Sequence, residues 1–286
     1  MNRLLIATLL PTLLAACASN PSSAPPPASA SMASNPAGVA LDEAIAGSWR
    51  TPANVVRDRY RNPKQTLSHF MVTPDQTVIE ITPGGGWYAE ILAPYLRDNG
   101  QYIAAVVDPA PMPAGRGRDY QQKARTDLEA KFAASPTQFD RVRVVAYDPA
   151  MPSFGAPASA DTVLTFRNVH NWGLARHAQG MFNGFFAVLK SGGTLGVVEH
   201  RAAQDVAVDD KSGYLGEAQV IALAQAAGFV LDAKSEINAN PRDTRDHPNG
   251  VWTLPPVNRH DAADAAKYLA IGESDRMTLR FKKPLR

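Results

Sequence analysis

The chain has 286 residues, 45% of them hydrophobic, enough to bury a core in one large domain or two small ones. Its formal charge of +2 gives no basic or acidic excess, so neither a nucleic acid nor an acidic membrane surface is an expected partner. No internal repeat is visible.

Residues 1–17 read as an export signal. Arg3 supplies a positive start, and Leu4 to Leu14 form an apolar run too short for a spanning helix. The run ends Leu14-Ala15-Ala16-Cys17, which resembles the lipobox of bacterial lipoproteins, whose cysteine is lipidated and becomes the mature N-terminus. Cys17 is the single cysteine of the chain, so the protein is expected on the periplasmic side, held to the membrane by lipid on Cys17. Without an aspartate just after Cys17, resemblance to known sorting rules favours the outer membrane of a Gram-negative host. Residues 18–38 are rich in Ser, Ala and Pro, have nothing to bury, and read as a disordered tether.

The folded domain is expected over 39–286, beginning with a helical layer at 39–75. Helices are predicted over Leu41–Trp49 and Pro52–Tyr60, and from Asn62-Pro63 to Phe70, with Asn62 at the N-cap and Pro63 at N1. This layer carries Arg50, Arg57, Arg59 and Arg61, which read as a solvated helix face. The alternative is that one of these arginines, or Tyr60, closes over a ligand.

Val78, Ile79 and Ile81 form a β-branched run that reads as a buried strand. Pro83 and Gly84, Gly85 and Gly86 break it, and Trp87 to Leu96 is dense enough in apolar residues for a buried helix despite Pro94. Strand, glycine turn and helix are the entry to a nucleotide-binding α/β domain, where a side chain in the turn would keep a ligand off the backbone. Further strands are predicted at 102–107, ending in Asp108, at 142–147, ending in Asp148, and at 161–166. The fourth leads into Arg167, Asn168, Val169 and His170. A helix over Met181–Leu189 is expected to stop at Lys190-Ser191-Gly192-Gly193, followed by a strand at 194–199. A helix at 216–227, a strand at 229–237 and a strand at 276–282 complete the series. Between the last two strands lies Asn238 to Ser274, a connection long enough to be functional or mobile. Strands alternating with helices imply an α/β protein, its sheet mostly parallel and covered on both faces.

These elements together resemble the class I S-adenosylmethionine-dependent methyltransferases, and in particular a group of exported bacterial predicted methyltransferases with a Pro-Gly-Gly-Gly-Trp-Tyr loop. The resemblance runs from about Val55 to Pro284 and is carried by Glu80 to Gly86, Asp108, Leu189 to Val198, and Ala227-Gly228-Phe229. It implies a Rossmann-like sheet of seven strands whose last strand, 276–282, runs antiparallel. It also implies S-adenosylmethionine as cofactor. Glu80 would bind the cofactor's amino group, while Gly84, Gly85 and Gly86 would admit its methionyl and ribose parts. Asp108 would hold the ribose hydroxyls, Asp148 would lie beside the adenine, and Asn168 would face the methionyl end. Thr82 departs from the pattern, standing where the family's first glycine usually sits.

Methyl transfer needs a base only when the acceptor is a hydroxyl or a protonated amine. His170, just after the fourth strand, is the first candidate; Glu199-His200 is a second pair, and Asp246-His247 is a candidate lining for the acceptor pocket. The histidines show no His-x-x-x-His or Cys-x-x-Cys spacing, so no metal is expected. Two other functions fit parts of the pattern. Gly84-x-Gly86-x-x-Ala89 with Asp108 matches a dinucleotide fingerprint and so an NAD(P)-dependent oxidoreductase, but Glu80 would repel a pyrophosphate and no second domain is evident. A lipoprotein that keeps the fold and only binds a small molecule is the other, since S-adenosylmethionine is made in the cytoplasm.

Overall fold

Each β-branched run of the sequence forms a strand: β1 (Thr77–Ile81), β2 (Gln101–Val107), β3 (Arg143–Tyr147), β4 (Ala160–Phe166), β5 (Leu189–His200), β6 (Val230–Ser235) and β7 (Arg276–Lys282). They make one sheet in the order β3-β2-β1-β4-β5-β7-β6. The first five run parallel, Val78 facing Tyr102 on one side and Thr162 on the other, and β7 runs antiparallel between β5 and β6. The sequence expectation for the sheet therefore holds down to the direction of its last strand. The structure, a computed structural model, describes residues 38–285. Cys17 and residues 18–37 of the expected tether lie outside the described residues. Among those described, no helix is long and apolar enough to cross a membrane.

Alternation along β1 divides the core into two layers, because successive side chains of a strand point to opposite faces. Ile79 and Ile81 pack with Ile103, Phe182, Phe185 and Leu195 under the helices Ala178–Val188 and Glu217–Ala226. Val78 packs on the other face with Leu67, Phe70, Tyr88, Ile91 and Leu92. Each such side chain contributes about 1.5–3 kcal/mol on leaving water. Glu80 shares the face of Val78 and is thus a carboxylate placed in an apolar layer.

The helix Ala89–Leu96 tolerates Pro94 for a specific reason. A proline there leaves the carbonyl of Glu90 without its helical donor. The indole N–H of Trp49 supplies one instead, at 2.9 Å. Proline and tryptophan together fasten the N-terminal layer to the domain. Phe70, the residue that ends the helix Pro63–His69, packs against Gly196 of β5, where an added Cβ would come within 2.7 Å of the ring.

Three local expectations differ from what forms. The segment 52–60 is not one helix but two short ones, Pro52–Val55 and Asp58–Arg61. Asn62 does precede Pro63, but it adopts a left-handed backbone (φ 41°), and its amide N–H bonds the Ile237 carbonyl at 2.7 Å rather than capping the helix. Lys190 to Gly193 does not end a helix as a loop; β5 already starts at Leu189. The stretch after β7 supplies its partners, Gly192 N–H to Lys283 O and Lys283 N–H to Gly193 O, both at 2.9 Å.

Candidate functional site

The order of the sheet creates one place where neighbouring strands lead their chains away in opposite directions, between β1 and β4, and ligands of open α/β sheets lie beyond such a point. Both strands end there in the same unusual way. Thr82 extends the ladder by one bond, N–H to Ala105 O at 2.8 Å, and then turns left-handed at φ 52°; Arg167 does the same, N–H to Val198 O at 2.7 Å, at φ 62°. A residue with a side chain costs about 1–2 kcal/mol in this conformation, so the arrangement stores strain at the cavity floor. The Thr82 backbone thus takes the conformation a glycine would take, while its hydroxyl bonds Tyr147 Oη at 2.7 Å. Asn168 ties the two strand ends, its amide donating to Ile81 O at 3.0 Å and to Thr165 Oγ1 at 3.2 Å.

A cavity of about 950 Å³ opens over this floor. Gly84 and Gly85 line it, and a Cβ on either would meet nothing within 4 Å, so their backbone faces open space. Gly86 does not line it. A Cβ there would come within 3.0 Å of Leu128, so this glycine serves the packing of the helix Arg116–Ala134 rather than the approach of a ligand. Asp148 lines the cavity beside Pro149 and Ala150. Asp108 sits one residue beyond the lining Val107 and outside the lining itself, its Oδ1 accepting from Ala110 N–H at 3.0 Å.

Glu80 lies on the cavity wall, almost wholly buried, and accepts the Tyr102 hydroxyl at 2.6 Å. Burial pushes its carboxyl up to about 7, against the pull of Tyr102, Arg61 and Arg167. It changes charge near neutrality, unlike an exposed glutamate.

Parallel pairing of β4 with β5, Phe166 against Val198, brings His170 and Glu199-His200 together as one group. Glu199 is fully buried and accepts at both oxygens: from Val169 N–H at 2.6 Å and His170 N–H at 3.3 Å on Oε2, and from His200 N–H at 2.8 Å on Oε1. Oε1 also lies 3.0 Å from His170 Nδ1. As a carboxylate can only accept, Nδ1 donates to Glu199, and Nε2 is the ring nitrogen that Glu199 leaves unengaged. His200 turns Nδ1 to the Ser274 hydroxyl, and burial followed by the nearby His170 lowers its pKa well below the usual value, so it is neutral at neutral pH. Ligand atoms of His170, Glu199 and His200 fall within 4.8 Å of one another. The four N–H groups on Glu199 commit that carboxylate to holding His170 and the strand ends, and of the three residues only the two histidines line the cavity.

The roof comes from two distant segments. Asn54, Arg57 and Arg61 belong to the N-terminal layer, and Val251, Trp252, Pro255, Pro256, Val257, Glu273 and Ser274 to the long connection before β7 and its end. That connection folds into turns and the helix Ala265–Ile271, and it is held to the layer by Asn62 and by Asn238, whose amide bonds Thr66 Oγ1 at 3.0 Å. Reading the arginines as a solvated face fails for Arg50 and Arg61, each 3% exposed, and for Arg57 on the cavity wall. Tyr60 lines a separate, smaller cavity with Arg59. Asp246-His247 does not line the acceptor space either. His247 Nε2 lies 2.8 Å from Asp243, and Asp246 accepts the Thr244 hydroxyl, so this pair pins the connection.

No family model matches the sequence, and a search of curated proteins finds no match. Solved structures do match the fold. The chain is similar to a SAM-dependent methyltransferase from Aquifex aeolicus, at 13% identity and TM-score 0.54, over 85% of this chain and 98% of that one. It is similar to the [4+2]-cyclase SpnF at 17% identity and TM-score 0.55, over 86% and 93%. A SAM-dependent methyltransferase from Methanosarcina mazei aligns at 13% identity and TM-score 0.51, over 77% and 98%. At these identities the likeness is one of fold. The chain has the Rossmann-like fold of the S-adenosylmethionine-dependent methyltransferases, and a cavity of its own lies at the β1–β4 edge.

Proposed function

We propose that the protein is an S-adenosylmethionine-dependent methyltransferase acting on a small-molecule acceptor. The observation that carries this reading is the open backbone of Gly84 and Gly85 at the β1–β4 edge, beneath a cavity that Glu80, Asp148, Asn168 and His170 all line. The residues present fit the cofactor. Glu80 offers a buried carboxylate to an ammonium group, Gly84 and Gly85 let a ribose lie on the backbone, and Asp148 with Pro149 and Ala150 forms the wall beside which adenine would lie. Asp108, at the rim, keeps its second oxygen for a ribose hydroxyl. When bound, the cofactor supplies a methyl group already activated on a sulfonium.

The chain then has to place and deprotonate an acceptor. His170 lines the cavity, and its Nε2, the ring nitrogen not held by Glu199, takes the acceptor's proton, while Glu199 fixes the ring, its tautomer and the imidazolium that forms. Trp252, 6.0 Å from His170 in an edge-on arrangement, and the proline pair beside it exclude water from that end. Residues 1–17 support export and a lipid on Cys17, which would hold this activity on the periplasmic side of a membrane.

A second reading, a lipoprotein that binds without turnover, draws on Thr82, whose side chain occupies cavity wall that a glycine would leave open. Calorimetric titration of the protein with S-adenosylmethionine and, separately, NADH tests both. Binding of the first alone is expected. No heat from S-adenosylmethionine at millimolar concentration would sink the proposal, and tight binding without turnover on an acceptor panel would favour the second reading.

A further inference from the structure

The roof of the cavity holds more positive charge than the protein itself balances. Arg57, Arg61 and Arg276 surround one carboxylate, Glu273, and Arg167 feels the same group. Burial pushes the Glu273 carboxyl up, but the arginines outweigh it and hold it at about 2, so it is ionised throughout the neutral range. Glu273 and, when ionised, Glu80, which Arg61 and Arg167 also pull, are at most two charges against four. Arg276 is spent on it, at 2.9 Å, and on Ser274 O at 3.1 Å. The other three are not. Arg57 gives Glu273 a single bond from Nε at 2.6 Å and leaves Nη2 buried with no partner. Arg61 approaches Glu273 only through Nε, at 3.5 Å, its guanidinium lies 4.8 Å from the Trp87 ring centre, and that buried Nε makes no hydrogen bond. Arg167 makes no side-chain hydrogen bond or ion pair among the described residues.

A guanidinium taken from water must recover its hydrogen bonds elsewhere, and an unsatisfied buried donor is costly. The consequence is visible in the groups themselves. Burial and then Arg167 drive Arg61 well below the usual arginine range, and burial and then Arg276 bring Arg167 to about 10. All three residues line one cavity and are short of acceptors, and a planar or tetrahedral oxyanion is the partner guanidinium groups fit.

We propose that Arg57, Arg61 and Arg167 form an oxyanion subsite that receives a carboxylate or phosphate group of the methyl acceptor, so that the substrate is a small acid. The acceptor half of this rests on the methyltransferase reading; the anion half does not. Arg167 and His170 line the same cavity, so an acid held by the arginines would have its neighbouring hydroxyl or amine in the space His170 shares. The same chemistry exists on the cofactor's own methionyl carboxylate, and the test separates the two sources.

The full protein is titrated with inorganic phosphate and phenyl phosphate at constant ionic strength, read by tryptophan fluorescence and thermal shift. Each titration is run with and without saturating S-adenosylhomocysteine or its decarboxylated analogue. The expected result is saturable binding of both anions that persists beside S-adenosylhomocysteine and weakens at least tenfold in Arg167→Gln, with Arg59→Gln, outside the cavity, unchanged. An unchanged urea midpoint shows that Arg167→Gln is folded, and Arg57→Gln provides a second variant. Absence of saturable binding, or equal affinity in Arg167→Gln, overturns the subsite. Displacement by S-adenosylhomocysteine but not by the decarboxylated analogue overturns the acceptor assignment and gives the arginines to the cofactor. Phosphate binding without any binding of S-adenosylhomocysteine supports the subsite and sinks the methyltransferase reading alone.

Discussion

Replacing Glu80 with glutamine should make the ligand-free protein more stable and its cofactor site worse. Burial raises the Glu80 carboxyl from 4.5 to about 7. Between those values the unfolded chain has released a proton that the folded chain still holds, so stability falls as pH rises through the window. Below about pH 4.5 both states are protonated and the penalty vanishes; above about pH 7 it is complete, and at about 1.4 kcal/mol per unit it amounts to ~3 kcal/mol. Glu80→Gln removes the titration and keeps an oxygen to accept the Tyr102 hydroxyl. Urea denaturation of both proteins between about pH 4.5 and pH 8 isolates the effect, because all other titrating groups are common to the two. The curves should meet at the acid end and separate by up to ~3 kcal/mol at the alkaline end, the variant being more stable. Affinity for S-adenosylmethionine should move the other way, losing ~1.5–3 kcal/mol with the charge-assisted bond to the ammonium. Curves that stay parallel across the whole range would refute the burial argument, and an unchanged affinity would remove Glu80 from the cofactor.

Two other substitutions probe the supports of the site. Glu199→Gln turns an amide toward backbone N–H groups that now donate to a carboxylate, and should cost ~1.5–3 kcal/mol in urea denaturation while lowering turnover; wild-type stability would mean that the four donors find other partners. Gly196→Ala drives a methyl to within 2.7 Å of Leu164 and Phe70 and should cost ~1–3 kcal/mol by overpacking, with a lower thermal midpoint. If the midpoint does not move, Phe70 can shift and the N-terminal layer is not tightly seated on the sheet.

The sheet was legible in the sequence because buried parallel strands write themselves as short apolar runs between breakers. Val78 to Ile81, Tyr102 to Val107 and Thr194 to Val198 all did so. The glycine turn was legible for the same local reason, although Gly86 proved to serve a helix and not a ligand. What could not be read were the groups assembled by tertiary contact. His170 and Glu199 lie 29 positions apart and become partners through the register of two strands. The arginines at 57, 59 and 61 read as a solvated run of charge, and only the return of the chain at Glu273 buries Arg61 and half-buries Arg57. Lys190 to Gly193 looked like a helix stop because its partners arrive more than 80 residues later, after β7.

The roof closes over a very long stretch of chain: the bond from Arg57 to Glu273 joins residues 216 positions apart. Contacts of such separation must bear their loop-closure entropy before they return anything, and they form late in folding. A roof closed by contacts of this separation is expected to form after the shorter-range strand pairs such as β1 with β2, and to open before them on warming. A heated sample would lose its grip on ligand while its strands are still paired, and would regain that grip on cooling from a framework that never came apart.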